Sequence, residues 1–225
     1  MLKFGLEKEL FLIKNNKIQI IPLEFPSDEC GLLVEARGKP SNNIIDAVYS
    51  LKAEEHRIKL LAKTGGYSLD DSPTKKVNKT LKLQATRAYS KGLTHYQNLY
   101  GILDHRNLHD EQTAGIHISF TQEETFSLIG KQCPLCKYSD IKDRTFNKLF
   151  DFVQIFRTLD NKFKTEIKLA KRNPGFYEIK PDSRVEYRSL PSNTNLDKII
   201  DVFVEIFPQS SISSSSSSSV SSKGE

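Results

Sequence analysis

The sequence predicts an α+β domain: strands with one apolar and one charged face, and helices to cover the apolar side. Three observations predict it. Apolar and charged residues alternate through Leu2–Ile13, Leu32–Arg37, Ala114–Phe120 and Ser183–Leu190, the period of a strand with two unlike faces. Apolar residues recur at helical spacing from Ile44, through Thr145–Leu169 and through Asn195–Phe207. The chain has 225 residues, which at roughly 150 residues per domain is one domain, or one domain and a tail. That length buries a core without disulfides or a structural metal.

The elements follow in order. Leu2–Ile13 is the first strand, and the turn residues Asn15-Asn16 hand it to a hairpin partner at Lys17–Pro22. Leu32–Arg37 is the third. Pro40-Ser41-Asn42-Asn43 then starts a helix in which Ile44, Ala47, Val48 and Leu51 share a face, running to Ala62 before Gly65-Gly66 breaks it. Residues 67–110 carry no clear period. Ala114–Phe120 is a strand and Glu123–Gly130 a short helix. Thr145–Leu169, with Phe146, Leu149, Phe150, Val153 and Phe156 in phase, is one long amphipathic helix. Ser183–Leu190 is the last strand and Asn195–Phe207 the closing helix. From Gln209 the composition collapses into serine, which cannot bury enough apolar surface to offset its ordering entropy. Residues 1–208 are therefore the expected folded domain and 209–225 a disordered tail.

Composition narrows the function classes. No apolar run reaches the ~20 residues that span a bilayer, so no membrane partner is expected. Glu7 and Glu9 come too early for a signal peptide, and three cysteines are too few for a disulfide framework, so a cytoplasmic protein is expected. The net charge of +5 is a mild excess with both signs spread along the chain. The basic stretch Lys75–Lys91 lacks the aromatic interleaving of a nucleic-acid groove, and nucleic acid is not the expected partner. Cys133-Pro134-Leu135-Cys136 is a solitary CxxC, with the spacing of half a zinc site or of a redox pair, and without a second pair it reads as two cysteines in a loop. His105 and His109 read as part of a polar surface segment.

The chemistry-bearing residues sit on the charged strand faces. Side chains at i and i+2 share a face, which pairs Glu7 with Glu9, Glu35 with Arg37, and His117 with Ser119, and groups Arg184, Glu186 and Arg188. A solvated sheet face over a helix layer alternates in the same way, but it favours Lys, Thr and Gln. These positions hold carboxylates, guanidiniums and an imidazole, and Glu7 beside Glu9 repels unless a cation lies between them. Carboxylates are hard ligands suited to Mg²⁺ or Mn²⁺. Arginines on the same face offer forked donors to phosphate. Carboxylates, a metal and arginines together point to phosphoryl transfer from a nucleotide. The chain has no P-loop and no Gly-x-Gly-x-x-Gly, so the nucleotide would be held by metal and side chains.

These residues carry a resemblance. Gly5-Leu6-Glu7-Lys8-Glu9 resembles the opening strand of the carboxylate–amine ligases related to glutamate–cysteine ligase and glutamine synthetase. Asp28, seven residues before Glu35, resembles that group's second acidic pair, and Thr113-Ala114-Gly115-Ile116-His117-Ile118-Ser119 its Gly-x-His strand. Arg172-Asn173-Pro174-Gly175-Phe176-Tyr177 followed by Arg184-Val185-Glu186-Tyr187-Arg188 is similar to its late Glu-Tyr-Arg signature. Order and spacing are most like the short, phage-type amidoligases, over residues 3–207. The resemblance implies a curved, mainly antiparallel sheet forming a funnel, with helices on its outer face: a glutamine synthetase-like catalytic fold. It implies ATP and Mg²⁺ (or Mn²⁺) at the centre, and amide formation between a small-molecule or peptide carboxylate and an amine through an acyl phosphate. Glu7, Glu9, Asp28, Glu35, His117 and Glu186 are the implied metal ligands. Arg188 and Glu186 are the implied catalytic pair, and Arg37, Arg172, Lys180, Arg184 and Arg188 the nucleotide contacts. Ser119 and Glu178 depart from the pattern, where many relatives have a second polar ligand and some an arginine. Two other readings share the pattern: a nucleic-acid or protein-binding module on a degenerate ligase-like sheet, and a metal-dependent phosphotransferase with no ligation step.

Overall fold

β1 (Leu2–Lys14) organises the molecule, because every strand of the main sheet pairs with it directly or joins it through one or two intervening strands. In the computed structural model, residues 2–28, 31–88, 110–122, 152–179 and 184–208 are described. The expected helix at Glu123–Gly130, Cys30, Cys133, Cys136, His105, His109, Lys180 and the serine tail lie outside them. Asn15 and Asn16 take φ of 51° and 59°, the left-handed turn conformation that Asn tolerates and that suits a two-residue hairpin. They return the chain into β2 (Lys17–Ile18), with Ile13 opposite Ile18. This partner strand is shorter than expected. Only the backbone bond from Gln19 N–H to the Leu12 carbonyl continues the ladder, and Pro22 has no N–H to carry it further.

β3 (Leu33–Arg37) pairs antiparallel with β1, placing Arg37 opposite Glu7 and Glu35 opposite Glu9. α1 (Ile44–Thr64) follows, capped by the Asn43 side chain, which accepts from Ile45 N–H at 2.8 Å. The patternless stretch after it holds β4 (Ser68–Asp70), β5 (Thr74–Lys76) and α2 (Lys79–Ala88). β6 (Glu111–Thr113) pairs with β5, and β7 (Gly115–Gln122) lies along the first half of β1 with His117 opposite Glu7. The expected single helix over 145–169 is two helices where it is described: α3 (Phe152–Lys162) and α4 (Lys164–Leu169). The break falls at Phe163, whose φ of −109° and ψ of 19° turn its ring fully into the core. β8 (Tyr177–Ile179), β9 (Val185–Pro191) and α5 (Leu196–Ile206, capped by Asn195) complete the order.

The result is a mixed α+β architecture in which an antiparallel sheet curls strongly into a half-barrel. Strand pairing runs β2-β1-β7-β9-β8, with β3 and β4 also on β1. Phe4, Leu6 and Leu12 of β1, Ile118 of β7 and Tyr187 of β9 join α1, α3 and α5 in the main core. Val185, Tyr187 and Leu190 all belong to this core although their spacing is two, then three. A register shift between β7 and β9 absorbs the extra residue. The opposite face of β1 contributes Phe11 to a smaller core with Leu33, Val77, Ala85 and Ala114, roofed by α2. One end of that face is thus closed by α2, and the charged residues occupy the rest. Among the described residues no helix is long and apolar enough to cross a membrane.

Candidate metal and phosphate site

The alternation of β1 sends Glu7 and Glu9 to the face opposite the main core, and antiparallel pairing supplies their neighbours. His117 stands opposite Glu7, and Glu186 of β9 stands opposite Ser119 of β7. Cross-strand neighbours on one face lie within side-chain reach. One ligand atom each from Glu7, His117 and Glu186 lies within 4.8 Å of the others. Glu186 has no exposed surface and His117 is buried, whereas Glu7 is partly open. Arg37 from β3 and Arg184 beside β9 both approach Glu7 Oε1, at 3.7 and 3.9 Å. Their strands are separated by β1 and β7, so this meeting is the convergence that a concave sheet face gives.

The imidazole of His117 lies between two carboxylates. Nδ1 is 3.4 Å from Glu186 Oε1, and Nε2 is 3.7 Å from Glu9 Oε2. Glu9 lies on the other side of the imidazole from Glu186, where its Oε2 accepts Gly115 N–H at 2.7 Å. Burial pushes the Glu9 carboxyl up to about 7. The Asp28 charge raises it further, while Arg188, Arg172 and the Gly115 N–H hold it back. Burial also raises Glu35, against a hydrogen bond to Glu7 and the charge of Arg37, which donates to Glu35 Oε2. Glu7, Glu9 and Glu35 therefore form one contiguous acidic wall.

The remaining expected site residues divide by what they touch. Asp28 accepts Leu33 N–H at 3.2 Å and closes the turn before β3, near enough to act on Glu9 by charge. Arg172 is a backbone clamp. Its guanidinium donates to the Ala114 carbonyl at 3.1 Å and to the Arg188 carbonyl at 2.7 Å, and burial lowers its pKa. It crosses so close to β7 that a Cβ on Gly115 would lie 2.7 Å from Nη2, which explains the glycine there. Arg188 points its Nη1 between two carboxylates: 3.1 Å from Glu186 Oε1, and hydrogen-bonded to Glu178 Oε2. Ser119 donates to Glu186 Oε2 at 3.5 Å.

Sequence reasoning passed over Glu178 as a member of the site. It lies in a three-residue strand directly opposite Glu186, too short for alternation to reveal. It also passed over Lys8, which the same alternation sends into the helix layer. A cavity of about 760 Å³ lined by Ile13, Lys17, Asp70, Lys75, Asn78 and Leu81 lies beyond the α2-roofed core and contains none of these residues. The chemistry gathers at the triad.

Two carboxylates and an imidazole suit a hard or borderline divalent cation, and the imidazole favours Mn²⁺ over Mg²⁺. The donor set therefore fits the metal that the sequence implies. Such an ion, with Arg37, Arg184 and Arg188 around it, would turn an acidic wall into a site for phosphate oxygens. No protein-family model matches the chain, and no curated protein matches it.

Proposed function

We propose that the protein is an ATP- and Mg²⁺- or Mn²⁺-dependent carboxylate–amine ligase, resembling the phage-type amidoligases of the glutamate–cysteine ligase and glutamine synthetase group. The half-barrel is, in this reading, the catalytic funnel of that fold. One observation carries the proposal: Glu7, His117 and Glu186 come from three adjacent strands and bring their ligand atoms within 4.8 Å, with three arginines bordering them.

Glu7, His117 and Glu186 would hold the ion, with Glu9 and Glu35 beside them. The ion supplies charge neutralisation for the phosphates when bound. Arg37 and Arg184, flanking the partly open Glu7, orient the nucleotide's phosphates. The γ-phosphoryl group passes to an oxygen of the substrate carboxylate, and ADP leaves. The amine then attacks the acyl carbon, phosphate departs as the acyl C–O bond breaks, and the nitrogen gives up a proton to solvent to leave the amide. Arg188 contacts the transferring phosphoryl oxygens, a forked donor placed where negative charge accumulates.

The test is phosphate release from ATP with Mg²⁺ or Mn²⁺, against pooled amino acids, amines and peptides. Release that requires both a carboxylate and an amine supports ligation. Release with a carboxylate or hydroxyl acceptor alone assigns a phosphotransferase. Absence of ATP binding and turnover with every pool overturns the proposal in favour of a binding module.

A further inference from the structure

Glu178 raises a question the ligase reading leaves open. Arg188 Nη1 lies 3.1 Å from Glu186 Oε1, the oxygen that also lies 3.4 Å from His117 Nδ1. A guanidinium on that oxygen and a divalent cation held by Glu186 compete for the same negative charge. Arg188 carries its charge at every working pH, so deprotonation cannot remove the conflict. A second anion must hold the guanidinium when Glu186 serves a metal.

Glu178 is that anion by position. It stands opposite Glu186 in the β8–β9 ladder, it is buried, and its Oε2 accepts from the same Arg188 Nη1. The Arg188 backbone is fixed as well: its N–H donates to the Phe176 carbonyl at 2.8 Å, and its carbonyl accepts from Arg172. From that fixed backbone the single atom Nη1 reaches both carboxylates at once.

Resting on the metal reading above, we infer that Glu178 is a positioning residue that draws Arg188 off Glu186, leaving Glu186 to ligate the cation and Arg188 aimed at the phosphate. Replacing Glu178 by a neutral side chain returns Arg188 to Glu186 and weakens the metal. Glu178 acts through Arg188, so its effect disappears when Arg188 is neutral.

The experiment is a double-mutant cycle of the full chain, the parent with Glu178→Gln, Arg188→Gln and both, read by Mn²⁺ titration in a calorimeter. Glu178→Gln is expected to raise the Mn²⁺ Kd at least tenfold in the parent and less than about threefold in the Arg188→Gln background. Equal effects in both backgrounds overturn the inference, because Glu178 then acts as a remote charge. No effect in the parent overturns it too. Urea unfolding of the same four proteins in EDTA reads the Glu178–Arg188 pair without metal. A pair that couples there, in a parent that binds no Mn²⁺, locates the failure in the metal reading and the inference falls with it. A parent that binds Mn²⁺ without coupling between the two residues sinks the inference alone. Should Glu178→Gln not fold, Glu178→Asp, which keeps the charge and withdraws it by one methylene, is expected to give an intermediate Kd that Arg188→Gln again erases. A parent-like Kd in that variant counts against the inference.

Discussion

Glu7, Lys8 and Glu9 are consecutive, yet they belong to two charged clusters that behave oppositely. Lys8 points into the helix layer, where its ammonium lies 3.2 Å from both oxygens of Glu55 on α1. Lys59 approaches Glu55 Oε1 at 2.8 Å and Asp71 approaches Lys8 at 3.8 Å. Burial would raise the Glu55 carboxyl, but the bonds from Lys59 and Lys8 win and hold it below its usual range. On the other face, burial wins at Glu9 and Glu35, and both are raised. The outer cluster is a closed ion-pair network that joins β1 to α1. In the inner cluster burial makes the charged carboxylates costly, a cost that a cation would relieve. Perturbation in that direction, on a concave face, marks a functional site better than burial alone.

The largest contrast comes from deleting one carboxylate on each side. Glu186→Gln is expected to abolish Mg²⁺-dependent ATP turnover, a loss beyond a thousandfold, while the metal-free protein melts no lower than the parent. Glu55→Gln leaves Lys8 poorly compensated, and unfolding free energy should fall by about 3 kcal/mol, the low end for a broken buried pair. Turnover per folded molecule should persist. Phosphate release beside urea unfolding measures both. A Glu186→Gln protein that turns over normally, or a Glu55→Gln protein as stable as the parent, erases the distinction.

Arg188→Lys is next in size. It keeps the charge but loses the forked donor, and kcat should fall roughly a hundredfold, the scale for removing one preorganised transition-state donor. Nucleotide affinity should change much less. Single-turnover phosphate release beside an ATP titration separates the two effects. A silent substitution would make Arg188 a structural partner of Glu178 and Glu186, and would favour the binding-module reading.

The two clusters should also answer pH with opposite signs. Glu9 has its carboxyl raised on folding from 4.5 to about 7, so the folded state favours the protonated form. That contribution is complete below pH 4.5 and is lost as pH rises to about 7. At ~1.4 kcal/mol per pKa unit the loss is roughly 3 kcal/mol. Glu55 is lowered, so its contribution is present above its unfolded pKa of about 4.5 and is lost on acidification. In EDTA, the stability difference between the parent and Glu9→Gln should therefore grow in favour of the variant from pH 4.5 to 7. A difference that stays flat over that interval would mean that Glu9 is not buried as a carboxylate.

What the sequence revealed depended on periodicity. Thirteen residues of alternating β1 sent Glu7 and Glu9 to one face, and the same rule placed His117, Glu186 and Arg188 without any knowledge of pairing. Curl, register and depth were not legible, because they arise between strands. Hence alternation did not show that Glu9 takes the Gly115 N–H, Asp28 the Leu33 N–H, or Arg172 the Ala114 and Arg188 carbonyls. The α2 region escaped for another reason. Its strands have three residues each, too few to show a period, and its face is completed by Phe11, Leu32, Leu33 and Ala114 from distant parts of the chain. Lys8 was passed over because a charged residue on an apolar face looks like noise until Glu55 appears opposite it.

The smallest effect expected is at Gly115, and it tests whether the inner cluster depends on its backbone. Gly115 N–H donates to Glu9, and a methyl group added to its Cα would lie 2.7 Å from Arg172 Nη2 and 3.0 Å from the Leu190 carbonyl oxygen. The guanidinium can yield only by loosening its bonds to the Ala114 and Arg188 carbonyls, and the Leu190 carbonyl belongs to the β9 backbone. Gly115→Ala should therefore cost about 1–3 kcal/mol of stability, the usual range for overpacking. Because Glu9 and Arg188 are both tied to the displaced groups, Mn²⁺ binding should weaken as well, although no ligand has been touched. Pairing Gly115→Ala with Arg172→Lys, a narrower side chain, should recover part of the stability but not the backbone clamp. Urea unfolding and Mn²⁺ titration of the three proteins check this. Full stability in Gly115→Ala alone would show that the Arg172 guanidinium does not lie against β7.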